Sequence, residues 1–409
     1  MPGKPLGKDR EGGTCDETKP GDLPFRNNAH NSRLMIFFGG KKQFWHTECR
    51  TPLNEKGFIF LTGHGETSMD NKRKIAKRII LLAALIVLGF CGLLFALSVG
   101  SSGLGLGDFF RLLFSGADTP ETAILYSMRL PRALLAYLVG AGLSVSGVCL
   151  QALFKNPMAD PHILGVSSGA GLGAALFIIL GGAGMAASGG LLALSAFAGG
   201  LLGVYVVYAV SGAGRRGTSV VALLLSGIAI SSFLTALISL LMVLNRNKMD
   251  MVMLWTMGSF STAGWSQVLW SAVPIVLASL GCAIFSRDLN IMLLGEEEAR
   301  QLGVNLRNTR RILMVLTTLI TASAVSVSGI IGFVGLMIPH IMRLMIGPDH
   351  KWLIPSAFFG GGLFLVVVDT VSRTIASPLE LPIGIITGIL GVPFFLYLLT
   401  KNRRKGRTV

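Results

Sequence analysis

Runs of about 20 mostly apolar residues recur along residues 69–409, and short polar stretches separate them. An α-helix of that length crosses the hydrocarbon core of a bilayer. The pattern therefore predicts an all-α fold, a polytopic membrane protein with ten transmembrane helices. The predicted spans are 75–98, 130–152, 162–181, 190–211, 220–244, 268–286, 311–328, 330–346, 353–374 and 382–400.

Lysines and arginines are divided unequally between the two sides of these spans. With the N-terminus of the first span inside, the inner side receives 20 of them from residue 69 onward, and the outer side receives 6. Cytoplasmic loops are enriched in lysine and arginine, so the asymmetry predicts that both termini lie in the cytoplasm. The formal charge of +15 is thus explained by the membrane and does not indicate a nucleic-acid partner.

Residues 1–68 do not continue the apolar pattern. They are polar with short apolar patches, and no signal-peptide pattern fits them. Met69 is followed by a basic cluster and then by the first span. We interpret Met69 as the initiator, residues 1–68 as disordered or as the result of a start codon assigned too early, and residues 69–409 as one transmembrane domain.

One long polar stretch, from Gly295 to Arg311, interrupts the apolar C-terminal part of the chain. Glu296 and Arg300 are four residues apart, so a helix would place them on one face as an ion pair. The charge-based orientation puts this stretch on the inner side of the membrane. Spacing alone leaves a solvated loop helix equally open.

The same stretch carries an apolar pattern and two glycines. Ala299, Leu302 and Leu306 are three and four residues apart, which predicts an apolar stripe opposite the charges. Gly295 and Gly303 predict two short helices joined at a glycine. Such a helix pair has a polar face in water and an apolar stripe that is free to dock.

Motifs for catalysis, metal binding and phosphate binding are missing from the sequence. No P-loop motif is present, so the chain cannot cradle ATP phosphates by itself. The five cysteines contain no C-x-x-C pair, and the six histidines contain no H-x-x-x-H pair. Four methionines between 249 and 257 are expected to fill gaps in the apolar interior rather than to bind a soft metal. We predict no catalytic residue, no cofactor and no metal site.

Charge is scarce inside the spans. Asp369 is the only acid placed clearly within one, and it precedes Arg373 by four residues, which predicts a local ion pair. An ion-coupled carrier usually has more buried ionisable groups. The path across the membrane is therefore predicted to be apolar and polar-neutral, suited to a bulky substrate whose charge is masked.

Small residues cluster in the second and ninth predicted spans. They allow helices to approach closely, and we favour helix packing over the alternative that they line a passage. They are Gly140, Gly142, Ser144, Ser146, Gly147 and 360–362.

Five motifs follow one another between about Lys74 and Lys401. They are Arg129-Leu-Pro-Arg132, Gln151-Ala-Leu-Phe-Lys-Asn-Pro-Met-Ala-Asp-Pro161, Leu164-Gly-Val-Ser-Ser-Gly169, Gly332-Phe-Val-Gly-Leu-Met-Ile-Pro-His340 and Glu380-Leu-Pro-Ile-Gly384. Together they resemble the signatures of the FecCD-type permeases, the membrane subunits of ABC importers for ferric siderophores, haem and cobalamin.

The resemblance implies a transport subunit and not an enzyme, located in the bacterial cytoplasmic membrane among lipids. It implies a second permease subunit, identical or paralogous, two ATPase subunits, and an external binding protein that delivers a ferric siderophore. Haem or cobalamin as the substrate stays open. An ion-coupled secondary carrier and an intramembrane enzyme are the alternatives of a different class.

The resemblance also implies two sites. The loop of about 287–311 would be the ATPase-coupling element, centred on Gly295, Glu296, Glu297, Glu298, Ala299, Arg300, Gln301, Leu302 and Gly303. Three arginines are similar to those that meet acidic residues of the binding protein, and the charge-based orientation independently places them outside; they are Arg129, Arg132 and Arg373. Interfacial snorkelling, in which an arginine reaches the lipid headgroups, is the alternative for these three.

Overall fold

A computed structural model of the protein describes residues 37–38, 41–42, 64–99, 119–181, 189–212 and 220–404. The chain divides into two units, residues 1–71 and residues 72–409. In the first unit, strands β1 (Phe37–Phe38) and β2 (Lys41–Lys42) pair antiparallel, with Phe37 opposite Lys42. Most of residues 1–68 lie outside the described ranges, so the expectation of disorder there stays a prediction.

The described residues of the second unit form helices joined by turns and short loops, and the first of these helices begins before residue 72. In chain order the helices are α1 (His64–Ser98), α2 (Pro120–Leu153), α3 (Val166–Leu180), α4 (Gly189–Val210), α5 (Val220–Leu244), α6 (Met249–Thr256), α7 (Trp265–Ile284), α8 (Ser286–Met292), α9 (Glu296–Gln301), α10 (Leu306–Ser328), α11 (Val334–Ile346), α12 (His350–Thr374) and α13 (Ile383–Arg404), with 3-10 turns at Pro161–Leu164 and Arg246–Lys248.

Seven of the described helices are long and apolar enough to cross a membrane: α1, α2, α4, α5, α7, α10 and α12. Three shorter apolar helices are α3, α11 and α13. Each predicted span coincides with one of these ten helices, so the all-α, polytopic membrane architecture is confirmed. That all ten cross the bilayer, with both termini in the cytoplasm, stays a prediction.

Helix α2 begins ten residues before the predicted span. Thr119 caps it, because its side chain accepts a hydrogen bond from the Thr122 N–H, and a proline at the first helical position suits that geometry. A π-helical turn at Leu125–Arg129 lies inside the helix, directly before Pro131. Since Pro131 lacks an N–H, the regular helical hydrogen bonding is interrupted there.

Helix α2 is the central helix of the bundle. In an apolar stretch of 18 residues of α2, 83 % of the residues are buried, whereas the corresponding share in α1 is 17 %. A Cβ atom on Gly140 would lie 2.2 Å from the carbonyl oxygen of Gly361 in α12, and one on Gly147 would lie 1.9 Å from that of Gly335 in α11. These glycines therefore let backbones touch, which confirms the packing role predicted for them.

Helices α3 and α4 pack in the same way. A Cβ atom on Gly169 would lie 2.3 Å from the Gly199 carbonyl oxygen, and one on Gly173 would lie 2.3 Å from the Ser195 carbonyl oxygen. The two backbones are held at a distance that excludes a side chain from the contact.

Helix α6 overturns the interior role expected for the methionines. Met249, Met251 and Met253 are exposed, and Val252 is the buried residue of this helix. The helix packs through one narrow face, so most of its apolar side chains point away from the subunit interior.

Candidate functional site

Helix α9 is bounded by glycines whose positive φ values favour glycine, with φ of +153° at Gly295 and +82° at Gly303. At the C-terminal end, the Gly303 N–H donates to the Arg300 carbonyl at 3.0 Å and the Val304 N–H donates to the Ala299 carbonyl at 2.9 Å. These two bonds form a Schellman motif, which ends the helix. The predicted glycine joint is thereby confirmed.

The second helix of the predicted pair is not short. Helix α10 has 23 residues and begins at Leu306, because the Asn305 side chain accepts from the Asn308 N–H and caps it. The polar stretch therefore ends inside the first turns of a long apolar helix. Helix α9 is therefore only a few residues away from a helix that is predicted to cross the membrane.

The charge pairs of α9 differ from the prediction. Glu296 pairs with Arg310 of α10 at 2.6 Å, and Arg300 pairs with Glu297 at 3.6 Å. The predicted Glu296–Arg300 pair is therefore wrong, because the turn at Gly303 brings α10 within reach of the start of α9. The hydrogen bond from Arg310, followed by its charge, lowers the pKa of Glu296 below its ordinary value.

The predicted apolar stripe is only partly present. Ala299 and Leu306 are buried, but Leu302 is 56 % exposed because it is the C-cap residue, where the helix unwinds. The result is a mostly charged exposed ridge on the side predicted to face the cytoplasm. We call it the α9 ridge, and its exposed residues are Glu296, Glu297, Glu298, Arg300, Gln301 and Leu302.

At the opposite end of the bundle, Asp369 of α12 is 1 % exposed and lies between two arginines. Its Oδ2 atom is 3.2 Å from Nε of Arg373, which confirms the predicted local pair. Its Oδ1 atom is 3.0 Å from Nη2 of Arg132 in α2. A buried carboxylate is stable only when paired, and here it is paired twice.

Arg132 also contacts Glu380, in the loop between α12 and α13. Its Nη1 atom lies 3.0 Å from each carboxylate oxygen of Glu380. The Glu380 side chain is 42 % exposed, whereas that of Arg132 is 12 % exposed. Sequence spacing could not show this pair, because 248 residues separate its members. The only signal was the motif that begins at Glu380.

Arg129 and Arg373 bind the end of α1. Arg129 donates to the Leu97 carbonyl at 2.7 Å, and Arg373 donates to the Ala96 and Val99 carbonyls at 3.2 and 3.3 Å. The last carbonyls of a helix lack partners within the helix, and cations stabilise that end. The three arginines predicted for docking thus lie in one buried cluster, which does not fit snorkelling to the headgroups.

The residues predicted to lie inside also come together. Arg78 of α1 lies 3.4 Å from Asp349, and the Asn290 side-chain amide donates to the other oxygen of Asp349 at 2.8 Å. This group lies at the N-terminal part of α1, whereas the arginine cluster lies at its C-terminal end. In the described ranges, no three His, Cys, Asp or Glu side chains are placed to hold a metal ion.

Known membrane transport proteins are similar to most of this chain. The cobalamin import system permease BtuC of Halobacterium salinarum is 44 % identical over 283 residues, which cover 68 % of this chain and 74 % of the relative. The hemin transport system permease HmuU of Yersinia pestis is 39 % identical over 329 residues, covering 78 % and 97 %. A solved structure described as an inward-facing conformation of a metal-chelate type ABC transporter matches with a TM-score of 0.68 at 34 % identity, covering 78 % and 98 %.

The family comparison matches almost the whole helical unit. Residues 84–401 match the model of the FecCD transport family. The chain therefore belongs to the FecCD transport family, as a multi-pass permease subunit of an ABC importer in the cytoplasmic membrane and not as an enzyme.

Proposed function

We propose that this permease translocates a ferric siderophore, delivered by an external binding protein and driven by two ATPase subunits beneath a pair of permeases. The observation that carries the choice of substrate class is the exposed face of α5. Ser232, Thr235 and Ser239 lie three and four residues apart on this helix, and all three are exposed. The helix contains no charged residue.

Two of the three hydroxyl groups on this face are locally satisfied. Thr235 donates to the Ser231 carbonyl at 2.8 Å and Ser239 donates to the Thr235 carbonyl at 3.1 Å. Their oxygens can still accept a hydrogen bond. A neutral wall of methyl groups and weak acceptors suits a chelate whose organic ligands enclose the charge of the metal. We propose this face of α5 as the wall of the passage.

The relatives support a metal chelate as the substrate. Their names specify cobalamin and hemin, and the solved structure is described as a metal-chelate transporter. Each of these substrates holds a metal ion inside an organic ligand. A ferric siderophore has the same character, and haem and cobalamin are the alternatives for the same passage.

The energy source is proposed to be ATP. Within the ten predicted spans, all of which the structure describes, Asp369 is the only acid, and Arg132 and Arg373 both hold it. Such a carboxylate is not available to relay protons or to bind a driving cation. We propose instead that the α9 ridge docks on the ATPase subunit and carries the conformational change to α10.

Uptake by the reconstituted importer tests the function. In proteoliposomes that contain the permease, its ATPase and its binding protein, we expect uptake of a ferric siderophore that requires ATP and is not driven by a proton or sodium gradient. A Thr235→Asp variant should reduce uptake at least about tenfold, because the wall would then carry a charge. Thr235→Val, which keeps the size, is the matched control.

Three results would contradict this proposal in different ways. Uptake of haem or cobalamin without uptake of a siderophore would change the substrate. Uptake driven by an ion gradient in the absence of ATP would replace the importer by a secondary carrier. Equal loss in Thr235→Asp and Thr235→Val, at equal membrane levels, would remove α5 from the passage.

We also propose that residues 1–68 are not needed for transport. The family match begins only at residue 84. A chain that starts at Met69 should reach the same membrane level and take up substrate within about twofold of the full chain, because the removed segment contributes no predicted span. Uptake and membrane abundance are measured together. Lost uptake at unchanged abundance would show that residues 1–68 are functional.

A further inference from the structure

The guanidinium group of Arg132 is engaged along both of its edges. Its Nε and Nη2 atoms face Asp369, each 3.0 Å from Oδ1, and its Nη1 atom faces both oxygens of Glu380. Two carboxylates already face Nε, Nη1 and Nη2 of this planar fork, so a third carboxylate would compete with them for the same nitrogens. Docking of an acidic partner on Arg132 is therefore favoured when one of the two bound carboxylates leaves.

The two acids are not equivalent in this exchange. Asp369 is almost completely buried and also bound to Arg373, so its departure would take away the ion-pair partner of a second, largely buried arginine. Glu380 is exposed and lies in a loop, and water competes for an exposed ion pair. Glu380 is therefore the carboxylate that leaves.

We propose that Glu380 is a built-in competitor of the binding protein: it occupies Arg132 in the free permease, and a carboxylate on the binding protein's surface takes its place on docking. This inference rests on the proposed delivery of substrate by a binding protein and on the docking role that the family resemblance implies for Arg132. The exchange replaces one carboxylate by another, so the charge on Arg132 stays compensated throughout. A neutral or basic surface offers no replacement, so the competition also selects for an acidic partner.

The loop that carries Glu380 leads directly into α13. The Leu381 N–H donates to the Ser372 carbonyl at 3.1 Å, and the Ile383 and Gly384 N–H groups donate to the Gly258 and Met257 carbonyls at 2.9 and 3.1 Å. The short segment from Glu380 to Gly384 is thus held at two places. Glu380 is bound to Arg132, and the N–H groups of Ile383 and Gly384 are bound to the residues after α6. When the partner displaces Glu380 from Arg132, one of the contacts that hold the start of α13 in place is lost.

The test compares affinities for the importer's purified, substrate-free binding protein, measured on the permease–ATPase complex in nanodiscs. Glu380→Gln keeps the shape of the side chain and removes its charge. We expect it to tighten binding about three- to tenfold at low salt, with a smaller gain at high salt because the competing ion pair is then already screened. Glu121→Gln is the matched control, because Glu121 is another exposed acid at the same end of α2.

Two further variants separate this inference from the docking role itself. Arg132→Lys keeps a cation beside Asp369 but loses the planar fork, and it should weaken binding. In the Arg132→Lys background, Glu380→Gln should give a smaller gain than in the wild type. Coupling between the two substitutions is the signature of a shared site.

The outcomes are distinct. If Arg132→Lys weakens binding but Glu380→Gln leaves it unchanged or weaker, Glu380 is not a competitor and the docking role stands. If Arg132→Lys changes neither affinity nor its salt dependence, docking on Arg132 fails and the competition fails with it. An equal gain from Glu121→Gln would attribute the effect to net charge and would also overturn the proposal.

Discussion

Gly140→Val is expected to destabilise the folded permease strongly. The backbones of α2 and α12 touch at this position, where a Cβ on Gly140 would lie 2.2 Å from the Gly361 carbonyl oxygen. The contact is reciprocal, since a Cβ on Gly361 would lie 2.3 Å from the Gly140 carbonyl oxygen. Neither obstacle is a side chain that can rotate away, so the two helices would have to separate.

Separation would be costly because α2 is the central helix. Overpacking a well-packed core costs about 1–3 kcal/mol and sometimes more, and a β-branched residue adds three carbon atoms here. The fraction of monodisperse protein and its thermal midpoint in detergent measure the effect. We expect a clear loss in both for Gly140→Val.

Gly190→Val supplies the matched control for this prediction. Gly190 lies in the first turn of α4, and a Cβ there has no neighbour within 4 Å. Its midpoint should stay close to that of the wild type. Equal midpoints for the two variants would mean that α2 and α12 can move apart without loss, against the packing described above.

Gly303→Pro is expected to uncouple ATP hydrolysis from transport. Proline fixes φ near −65°, whereas Gly303 has φ of +82°. It would also remove the N–H that donates to the Arg300 carbonyl. Helix α9 would therefore point in a different direction relative to α10. ATP hydrolysis should no longer rise when the binding protein is added, and uptake should be lost.

A second substitution, Gly303→Asn, should be tolerated at the same position. Gly303 has open space around it, so the backbone torsion is the main restraint. Asparagine adopts positive φ more readily than other residues with a side chain, and Gly303→Asn should keep most of the stimulation. The binding protein should attach to both variants with wild-type affinity. Normal stimulation in Gly303→Pro would exclude this joint from coupling.

Local features of the sequence predicted the structure well. The apolar runs located the helices, the glycines at 295 and 303 located the ends of α9, and the spacing of Asp369 and Arg373 located their ion pair. In each case the interacting groups belong to one helix or one turn. Geometry along a single helix follows from residue spacing, so it can be derived without knowing the tertiary fold.

Contacts between distant segments could not be predicted in this way. Glu296 was assigned the nearby Arg300 but binds Arg310, across a turn whose direction depends on the tertiary fold. Arg132 was assigned to an external partner, yet Asp369 and Glu380 hold it from α12 and the following loop. The exposed methionines of α6 show the same limit, because composition does not specify which side of a short helix meets its neighbours.

The attachment of α1 has a consequence for biosynthesis. Its N-terminal part is held by Arg78, which donates to the Ile346 carbonyl and pairs with Asp349. Arg373, one of the two arginines that bind its C-terminal end, is farther still along the chain. These partners are translated some 270 residues later, or tens of seconds at about 5–20 residues per second. Of these contacts, only the one with Arg129 can form before residue 346 has been made, so we expect α1 to gain its final position late in synthesis.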